Sequence, residues 1–276
     1  VVYKTFDNYG NDEMQLQYYI SDVDKRVELY IMGIAFIALV LLIARKNGLK
    51  ALFALIVTIA FIIKIFIPAI YSGYSPILFA IITAVFSSLV TIYFTVGMNK
   101  KFVVALLGVT SGVLIAGILS YIFTYTMRLN GFLDSDLLSC AYLLKKIKIK
   151  ELIPAGVIIG SLGAVMDVAV SITSSINELH EANPNISKKS MFKSAINIGN
   201  DIIGTMINTL ILAYIASSIF TLLLIYIQAN EYPLIRILNF QDIAVEIMRS
   251  ICGSIGILIA VPLTAYIGTM IYKKNK

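Results

Sequence analysis

Two aspartates lie inside apolar segments of this chain, each within a helix-length run that carries further polar side chains. Asp167 belongs to the run GAVMDVAVSITSSINEL (163–179), and Asp201 belongs to INIGNDIIGTMINTLILAY (196–214). A charged side chain at the centre of a bilayer costs about 2.5–3.5 kcal/mol on insertion scales, so it rarely stays there without a partner or a function. These two carboxyls are therefore the first candidates for chemistry.

The polar residues of each run recur at helical spacing and are expected to share one face of a helix. They are Asp167, Ser171 and Glu178 in the first run, and Asn197, Asp201, Thr205 and Asn208 in the second. We predict that they form an intramembrane binding site for an ion or substrate, between the fifth, sixth and seventh spans defined below.

A structural role for these residues competes with that prediction. A protonated or hydrogen-bonded Asp167 would pin two helices together, as interhelical polar contacts do for about 1 kcal/mol. An asparagine would do so without the cost of ionisation, which favours a group that gains and loses a proton or holds a cation. Asp201 lies near the expected helix entry and could instead cap the first turn. The amides, Thr205 and the serines could equally hold helices together.

The composition is that of a membrane protein. The chain of 276 residues is 59% apolar and 14% charged, against about 25% charged residues in soluble domains. Apolar runs of about 20 residues, the length needed to cross a bilayer, recur along it. We predict an all-α, polytopic transmembrane helix bundle over 27–276, preceded by an extracytoplasmic amino-terminal remnant (1–26), because the chain starts at Val1. The seven expected spans are about 27–44, 49–70, 76–97, 102–126, 152–177, 197–227 and 248–272.

Basic residues predict the orientation. With seven spans, four basic groups fall on one side, which the positive-inside rule makes cytoplasmic. They are Arg45 to Lys50, Lys100 with Lys101, Lys188 with Lys189 and Lys193, and the tail from Lys273 to Lys276. The amino terminus is then outside and the carboxy terminus inside. Lys145 to Lys150 are the exception, because this topology places them outside. The segment 132–144 before them either lies along the membrane as an amphipathic helix or crosses it and reverses the direction of every later span.

Other features exclude some classes of function. Cys140 and Cys252 are far apart, and His180 is the single histidine, so we expect no metal site and no cofactor. The soluble segments contain no basic patch with interleaved aromatic residues, so we do not expect the protein to bind nucleic acid. Glu246 and Arg249 lie about one turn apart at the outer end of the last span, where we expect a salt bridge.

The runs around the two aspartates carry a family resemblance. The motifs MDVAVSI (166–172), NPNIS (183–187) and NDIIGTMINTLILAY (200–214) stand in order, and IMRSICGSIGILIAVPLTAYIG comes after them at 247–268. Together they closely resemble the YibE/F family of bacterial membrane proteins. The resemblance implies a multi-pass inner-membrane protein, often encoded beside a related partner, and implies no particular chemistry. Asn200 departs from the arginine that many members have there.

The layout is also similar to the membrane half-unit of SecDF and related proton-driven exporters of the resistance-nodulation-division type. There, a helix with an aspartate, a cytoplasmic loop, a Thr/Asn helix and a Gly/Ser helix succeed one another. Asp167, the Asn183-Pro184 loop, Thr205 with Asn208, and Gly253-Ser254 stand in that order. The likeness implies that Asp167 responds to protons.

Three hypotheses for function remain. The first is a proton- or cation-coupled transporter, or the membrane half of one. The second is a non-transporting assembly partner of another membrane protein, or a homo-oligomer, joined through the small-residue face at Gly156 and Gly160. The third is an intramembrane aspartyl protease, but the chain has Gly199-Asn200-Asp201 where that chemistry uses G-x-G-D. We therefore expect no enzymatic activity.

Overall fold

The computed structural model describes residues 2–6, 16–20, 24–131, 146–228 and 233–272. In these residues a short antiparallel hairpin precedes a series of apolar helices. The strands are β1 (Val2–Phe6) and β2 (Leu16–Ile20), with Val2 opposite Ile20. The helices are α1 (Arg26–Phe61), a π-helical turn (Ile62–Phe66), α2 (Ile67–Tyr71), α3 (Pro76–Val96), α4 (Lys100–Thr126), α5 (Ile149–Ala182), α6 (Lys188–Ser217), α7 (Ile219–Gln228), α8 (Leu234–Leu238) and α9 (Gln241–Tyr272).

Six helices in the described residues are long and apolar enough to cross a membrane, which confirms the predicted all-helical membrane fold. The first of these, Arg26–Tyr71, contains 46 residues. At about 1.5 Å per residue it would measure about 69 Å, more than twice a hydrocarbon core of about 30 Å. The two expected spans 27–44 and 49–70 both fall within it.

A break at Arg45 separates those two stretches. Arg45 has φ 47° and ψ −125°, inside what is otherwise continuous helix. A positive φ is uncommon for a residue with a side chain and marks a turn. A Cβ on Gly48 would lie 2.7 Å from the Val40 carbonyl oxygen, so the chain doubles back closely here and leaves room only for glycine. The break coincides with the basic link that the sequence predicted between the first two spans.

The chain forms two units, 1–52 and 53–276. In the second, α5 is the central helix and packs against α3, α4, α6 and α9. Its core side chains recur at helical spacing and are fully buried, among them Val165, Val168, Ile172 and Ile176. Large apolar side chains cover the outer surface of the bundle, as contact with lipid requires.

Small residues bring α4 and α9 together. A Cβ on Gly112 would lie 2.8 Å from the Ala260 Cβ and 2.9 Å from the Gly256 carbonyl oxygen. A Cβ on Gly108 would collide with the Thr264 side chain. Membrane helices associate through such small-residue faces because there is no hydrophobic driving force between them.

Helix-to-helix contacts define the two ends of the bundle. At one, the Lys100 end, the Lys100 ammonium lies 5.8 Å from the centre of the Tyr272 ring, and Tyr272 also reaches Asn177. At the other, the Glu151 end, the Ser75 hydroxyl donates to a Glu151 carboxylate oxygen at 2.5 Å. Helices α3, α5 and α9 therefore run in one direction and α4 in the other.

The segment 132–144, which the sequence left as either surface helix or extra crossing, lies outside the described residues. Its flanks are described and are in contact, since a Cβ on Gly131 would lie 2.8 Å from the Ile149 carbonyl oxygen. Gly131 and Ile149 therefore both lie at the Glu151 end of the bundle.

A short elbow at 183–187 joins α5 to α6 at the Lys100 end. The Asn183 carboxamide oxygen accepts from the Asn185 N–H at 3.1 Å, and the Ser187 hydroxyl accepts from the Ser190 N–H at 3.1 Å. Ser187 is thus the N-cap of α6. Met191 anchors the elbow because its side chain is fully buried one turn later.

Several observed helices begin or end at other residues than the apolar runs do. Helix α6 begins at Lys188, nine residues before the expected span at 197, and ends at Ser217, where the sequence predicted continuous helix to 227. Hydropathy detects the part of a helix that lipid surrounds, whereas capping by Ser187 sets where the helix starts.

Candidate functional site

Helix α5 turns its carboxylates away from the core of the bundle. Asp167 and Glu178 are exposed and Ser171 is half-buried, whereas Val165, Val168 and Ile172 lie on the opposite face and are fully buried. Gly163, one turn before Asp167, is also exposed, and a Cβ there would have nothing within 4 Å. The predicted shared face therefore exists, but it is the outer face of the helix, whereas the sequence predicted that it points between the fifth, sixth and seventh spans.

Helix α6 has the same arrangement. Its buried residues Met191, Ala195, Gly199 and Leu210 recur at helical spacing and face the bundle. The predicted polar residues lie on the opposite side and are all exposed: Asn197, Asp201, Thr205 and Asn208.

Two contacts fix how α5 and α6 lie against each other. A Cβ on Gly199 would lie 3.4 Å from Ile172 Cδ1, and one on Gly160 would lie 2.7 Å from the Tyr214 hydroxyl oxygen. The midpoint between these contacts falls beside Asp167 on α5 and between Thr205 and Asn208 on α6. The structure therefore places Asp167 level with the Thr205–Asn208 turn, and Asp201 nearer to the Lys100 end.

The carboxylates of Asp167 and Asp201 have no hydrogen bond or ion pair to any other described residue. Thr205 donates to the Ile202 carbonyl oxygen of its own helix at 2.8 Å. The alternative that Asp201 caps a helix is wrong, because α6 begins at Lys188 and Asp201 lies near its middle. Each of the two helices thus presents an unpaired carboxyl at mid-length.

One polar contact at the Lys100 end was not predicted from the sequence. The Tyr272 hydroxyl donates to the Asn177 carboxamide oxygen at 2.9 Å, and the Asn177 amide donates to a Glu181 carboxylate oxygen at 2.6 Å. This contact joins α5 to the last residue of α9. Asn177 stands four residues before Glu181, a spacing that predicts their pairing on one helix.

The expected salt bridge in α9 is confirmed, with Arg249 Nη1 2.6 Å from Glu246 Oε1. Two glycines of α5 adjoin it. A Cβ on Gly156 would lie 3.7 Å from Arg249 Nη2, and Gly160 makes room for the Tyr214 hydroxyl. The small-residue face predicted to join subunits therefore accommodates large side chains of the same chain.

No group of three or more His, Cys, Asp or Glu side chains among the described residues is arranged to hold a metal ion.

Comparison with known proteins complements this geometry. No curated protein and no solved structure matches the chain. A family model described as YibE/F-like protein matches residues 32–274, which include both aspartate-bearing helices and the last helix. The chain therefore belongs to the YibE/F-like family and is a multi-pass membrane protein.

Proposed function

We propose that this protein is the membrane half of a proton- or cation-coupled transporter of the bacterial cytoplasmic membrane, with Asp167 as its coupling group and no enzymatic activity. One observation carries the proposal. Asp167 lies near the middle of a 34-residue membrane helix, faces away from the core, and has no partner among the described residues. A carboxyl in such a place is costly unless a mobile charge visits it.

A second subunit completes the site in this proposal. The outer faces of α5 and α6 carry unpaired carboxyl and amide groups, which hydrocarbon cannot satisfy. A related membrane protein or a second copy that covers both faces would enclose them. Asp167 and Asp201 would then line a path along the contact between the subunits, with the Thr205–Asn208 turn beside Asp167.

The first test requires no knowledge of the substrate. A hydrophobic carbodiimide reacts with a protonated carboxyl within a membrane. We expect Asp167 to be labelled in native membranes at low pH and protected as the pH rises or as a coupling cation is added, with mass spectrometry locating the label. Asp24, which precedes α1, is paired with the Arg26 guanidinium at 2.6 Å and serves as the unlabelled reference.

The second test measures transport directly. The protein, reconstituted with any partner that co-purifies, is expected to carry protons or a cation into liposomes in response to an imposed gradient. Asp167→Asn keeps the shape and hydrogen bonding of the side chain but removes its ionisation, and should abolish the flux. The proposal is contradicted if the labelling of Asp167 does not depend on pH or on added cations and the flux in Asp167→Asn is unchanged.

The outward direction of these faces also favours the second hypothesis, that the protein is a non-transporting assembly partner. Gly163→Leu separates the two hypotheses, because a Cβ there has nothing within 4 Å and the chain itself will fold around it. An assembly partner would lose its complex in Gly163→Leu and keep it in Asp167→Asn. A transporter would lose its flux in both variants.

A further inference from the structure

A groove lies between the first turns of α6 and the last turns of α9, at the Lys100 end of the bundle. It has a volume of about 250 Å³. Six residues of the two helices line it: Lys188, Lys189, Phe192, Tyr266, Thr269 and Met270. The Thr269 hydroxyl donates to the Ala265 carbonyl oxygen of its own helix. The groove is therefore apolar except at the two ammonium groups and the Tyr266 hydroxyl.

The two lysines lie at the level where the membrane meets water. A Cβ on Gly199 of α6 would meet the Val261 side chain of α9, so these residues are side by side. Lys188 stands eleven residues before Gly199, and Tyr272 stands eleven residues after Val261. Because α6 starts and α9 ends at this end of the bundle with the same rise per residue, Lys188 is level with Tyr272. The apolar run of α9 stops there, which is where lipid headgroups lie.

The rest of the groove extends from this level toward the hydrocarbon. Phe192 lies one turn further along α6 than Lys188 and is half-buried. On α9, Tyr266 is 54% exposed and Met270 is 44% exposed, and both precede Tyr272. The groove is thus charged at the headgroup level and apolar below it, which is the order of groups along a phospholipid.

The charges of the groove favour an anion. Among the described residues that line it, the charged ones are both lysines, and an occupant can reach them because Lys189 is exposed and Lys188 is half-buried. The α5 carboxylates of the same end, Glu178 and Glu181, are not in the wall, and Glu181 accepts from the Asn177 amide. The first turn of α6 adds the partial positive charge of a helix N-terminus. A zwitterionic headgroup would bring its own ammonium to this site, whereas an anionic one would not.

We propose that this groove binds an anionic phospholipid, such as phosphatidylglycerol, from the leaflet at the Lys100 end. The Lys188 and Lys189 ammonium groups hold its phosphate, and an acyl chain follows Phe192, Tyr266 and Met270. Basic pockets between membrane helices recognise anionic headgroups in this way. A phosphate ion without an acyl chain would leave the apolar part of the groove unfilled. The inference does not depend on ion coupling by the protein.

Tryptophan fluorescence tests the proposal at a single position, because the chain contains no tryptophan of its own. Tyr266→Trp places a reporter in the groove, and Leu258→Trp places one on α9 at an exposed position that does not line the groove. Each complete chain is reconstituted in phosphatidylcholine vesicles that contain a rising fraction of dibrominated phosphatidylglycerol or dibrominated phosphatidylcholine. Bromine quenches tryptophan on contact, so the two quenching curves give the relative affinity of the two lipids at that position.

The expected preference follows from the two lysines. Each basic residue near a headgroup contributes about 5-fold to the binding of an anionic lipid, so phosphatidylglycerol should be preferred about 25-fold in the Tyr266→Trp protein. The Leu258→Trp protein should show no comparable preference, because its reporter contacts bulk lipid.

Lysine variants in the Tyr266→Trp background connect the preference to the groove. Lys189→Gln should lower it by about 5-fold, and Lys188→Gln/Lys189→Gln should abolish it. Lys101→Gln is the matched control, since it removes the same charge from the first turn of α4, at the same end of the bundle and outside the groove. The preference should survive in that variant.

Four results would overturn the proposal. The two brominated lipids could quench the Tyr266→Trp protein equally, or the Leu258→Trp protein could show the same preference. The variants of Lys188 and Lys189 could behave like Lys101→Gln. Neither lipid could quench the Tyr266→Trp fluorescence, which is the result expected if a protein segment covers the groove instead.

Discussion

Asp167 and Glu246 are both carboxylates within apolar helices, and their surroundings differ. Glu246 has an arginine one turn away on the same helix, whereas Asp167 has no partner among the described residues. Spacing along one helix predicted the Glu246–Arg249 pair from the sequence. The direction in which Asp167 points depends on how α5 packs against four other helices, which no local pattern encodes.

The ion pair in α9 leads to a prediction about stability. Arg249→Gln leaves Glu246 without its cation and should lower the free energy of unfolding by about 1.5–3 kcal/mol. The double variant Arg249→Gln/Glu246→Gln should recover part of that loss, because no uncompensated charge remains. Denaturant unfolding of the purified protein in detergent measures both. A double variant at least as unstable as Arg249→Gln would argue against a stabilising pair.

The buried hydrogen bond between Tyr272 and Asn177 supports a second prediction. Tyr272→Phe removes one hydroxyl without changing the packing and leaves the Asn177 carboxamide oxygen unpaired. We expect the free energy of unfolding to fall by about 1–2 kcal/mol. Thermal unfolding in detergent would show this as a lower midpoint temperature. Tyr266→Phe is the control, since Tyr266 lies on the same helix with its side chain exposed. Equal midpoints for the two variants would show that the bond contributes nothing.

Among the helices, the apolar runs predicted where most helices lie but not the residues at which they begin and end. The expected span 76–97 agrees with α3 to within one residue, because Pro76 and Gly97 bound the apolar run at both ends. The break at Ser218 was missed, since the apolar run continues unchanged through α7. Hydropathy averages over a window, and a single turn between two apolar helices does not alter the average.

The contact between α4 and α9 depends on glycine, which leads to a third prediction. Gly112→Ala introduces a methyl group within 3 Å of atoms from α5 and α9 and should cost about 1–3 kcal/mol of stability. Gly33→Ala is the matched control, because a Cβ at Gly33 would have nothing within 4 Å, and alanine is the better helix former. Thermal unfolding of the two variants in one detergent compares them. If Gly112→Ala is as stable as Gly33→Ala, the contact between α4 and α9 accommodates the added methyl group and does not depend on glycine.

At the scale of the whole molecule, the sequence predicted which loops share a side, and the contacts within 53–276 agree. Lys100 and Tyr272 meet at one end, and Ser75 and Glu151 meet at the other. The polar residues of α5 and α6 were predicted to share a face on each helix, and they do. From the sequence they were expected to point between the fifth, sixth and seventh spans, whereas in the structure they point outward, because small and apolar residues occupy the face toward the core.

Orientation in the membrane gives a fourth prediction. In a background without Cys140 and Cys252, a cysteine at Asn185 in the elbow should react with a membrane-impermeant maleimide only after the cells are broken. A cysteine at Ser72, at the Glu151 end, should react in intact cells, because the basic Lys100 end is then cytoplasmic. The reverse pattern would invert the proposed orientation of every span from α3 onward.

The lengths of α5 and α6 have a practical consequence. The two helices contain 34 and 30 residues, or about 51 and 45 Å at about 1.5 Å per residue, so they exceed an oily slab of about 30 Å. The capped elbow at 183–187 joins them, and the buried side chain of Met191 anchors it. An antibody fragment raised against this elbow would add rigid mass to the protein and give electron microscopy a landmark for aligning the particles.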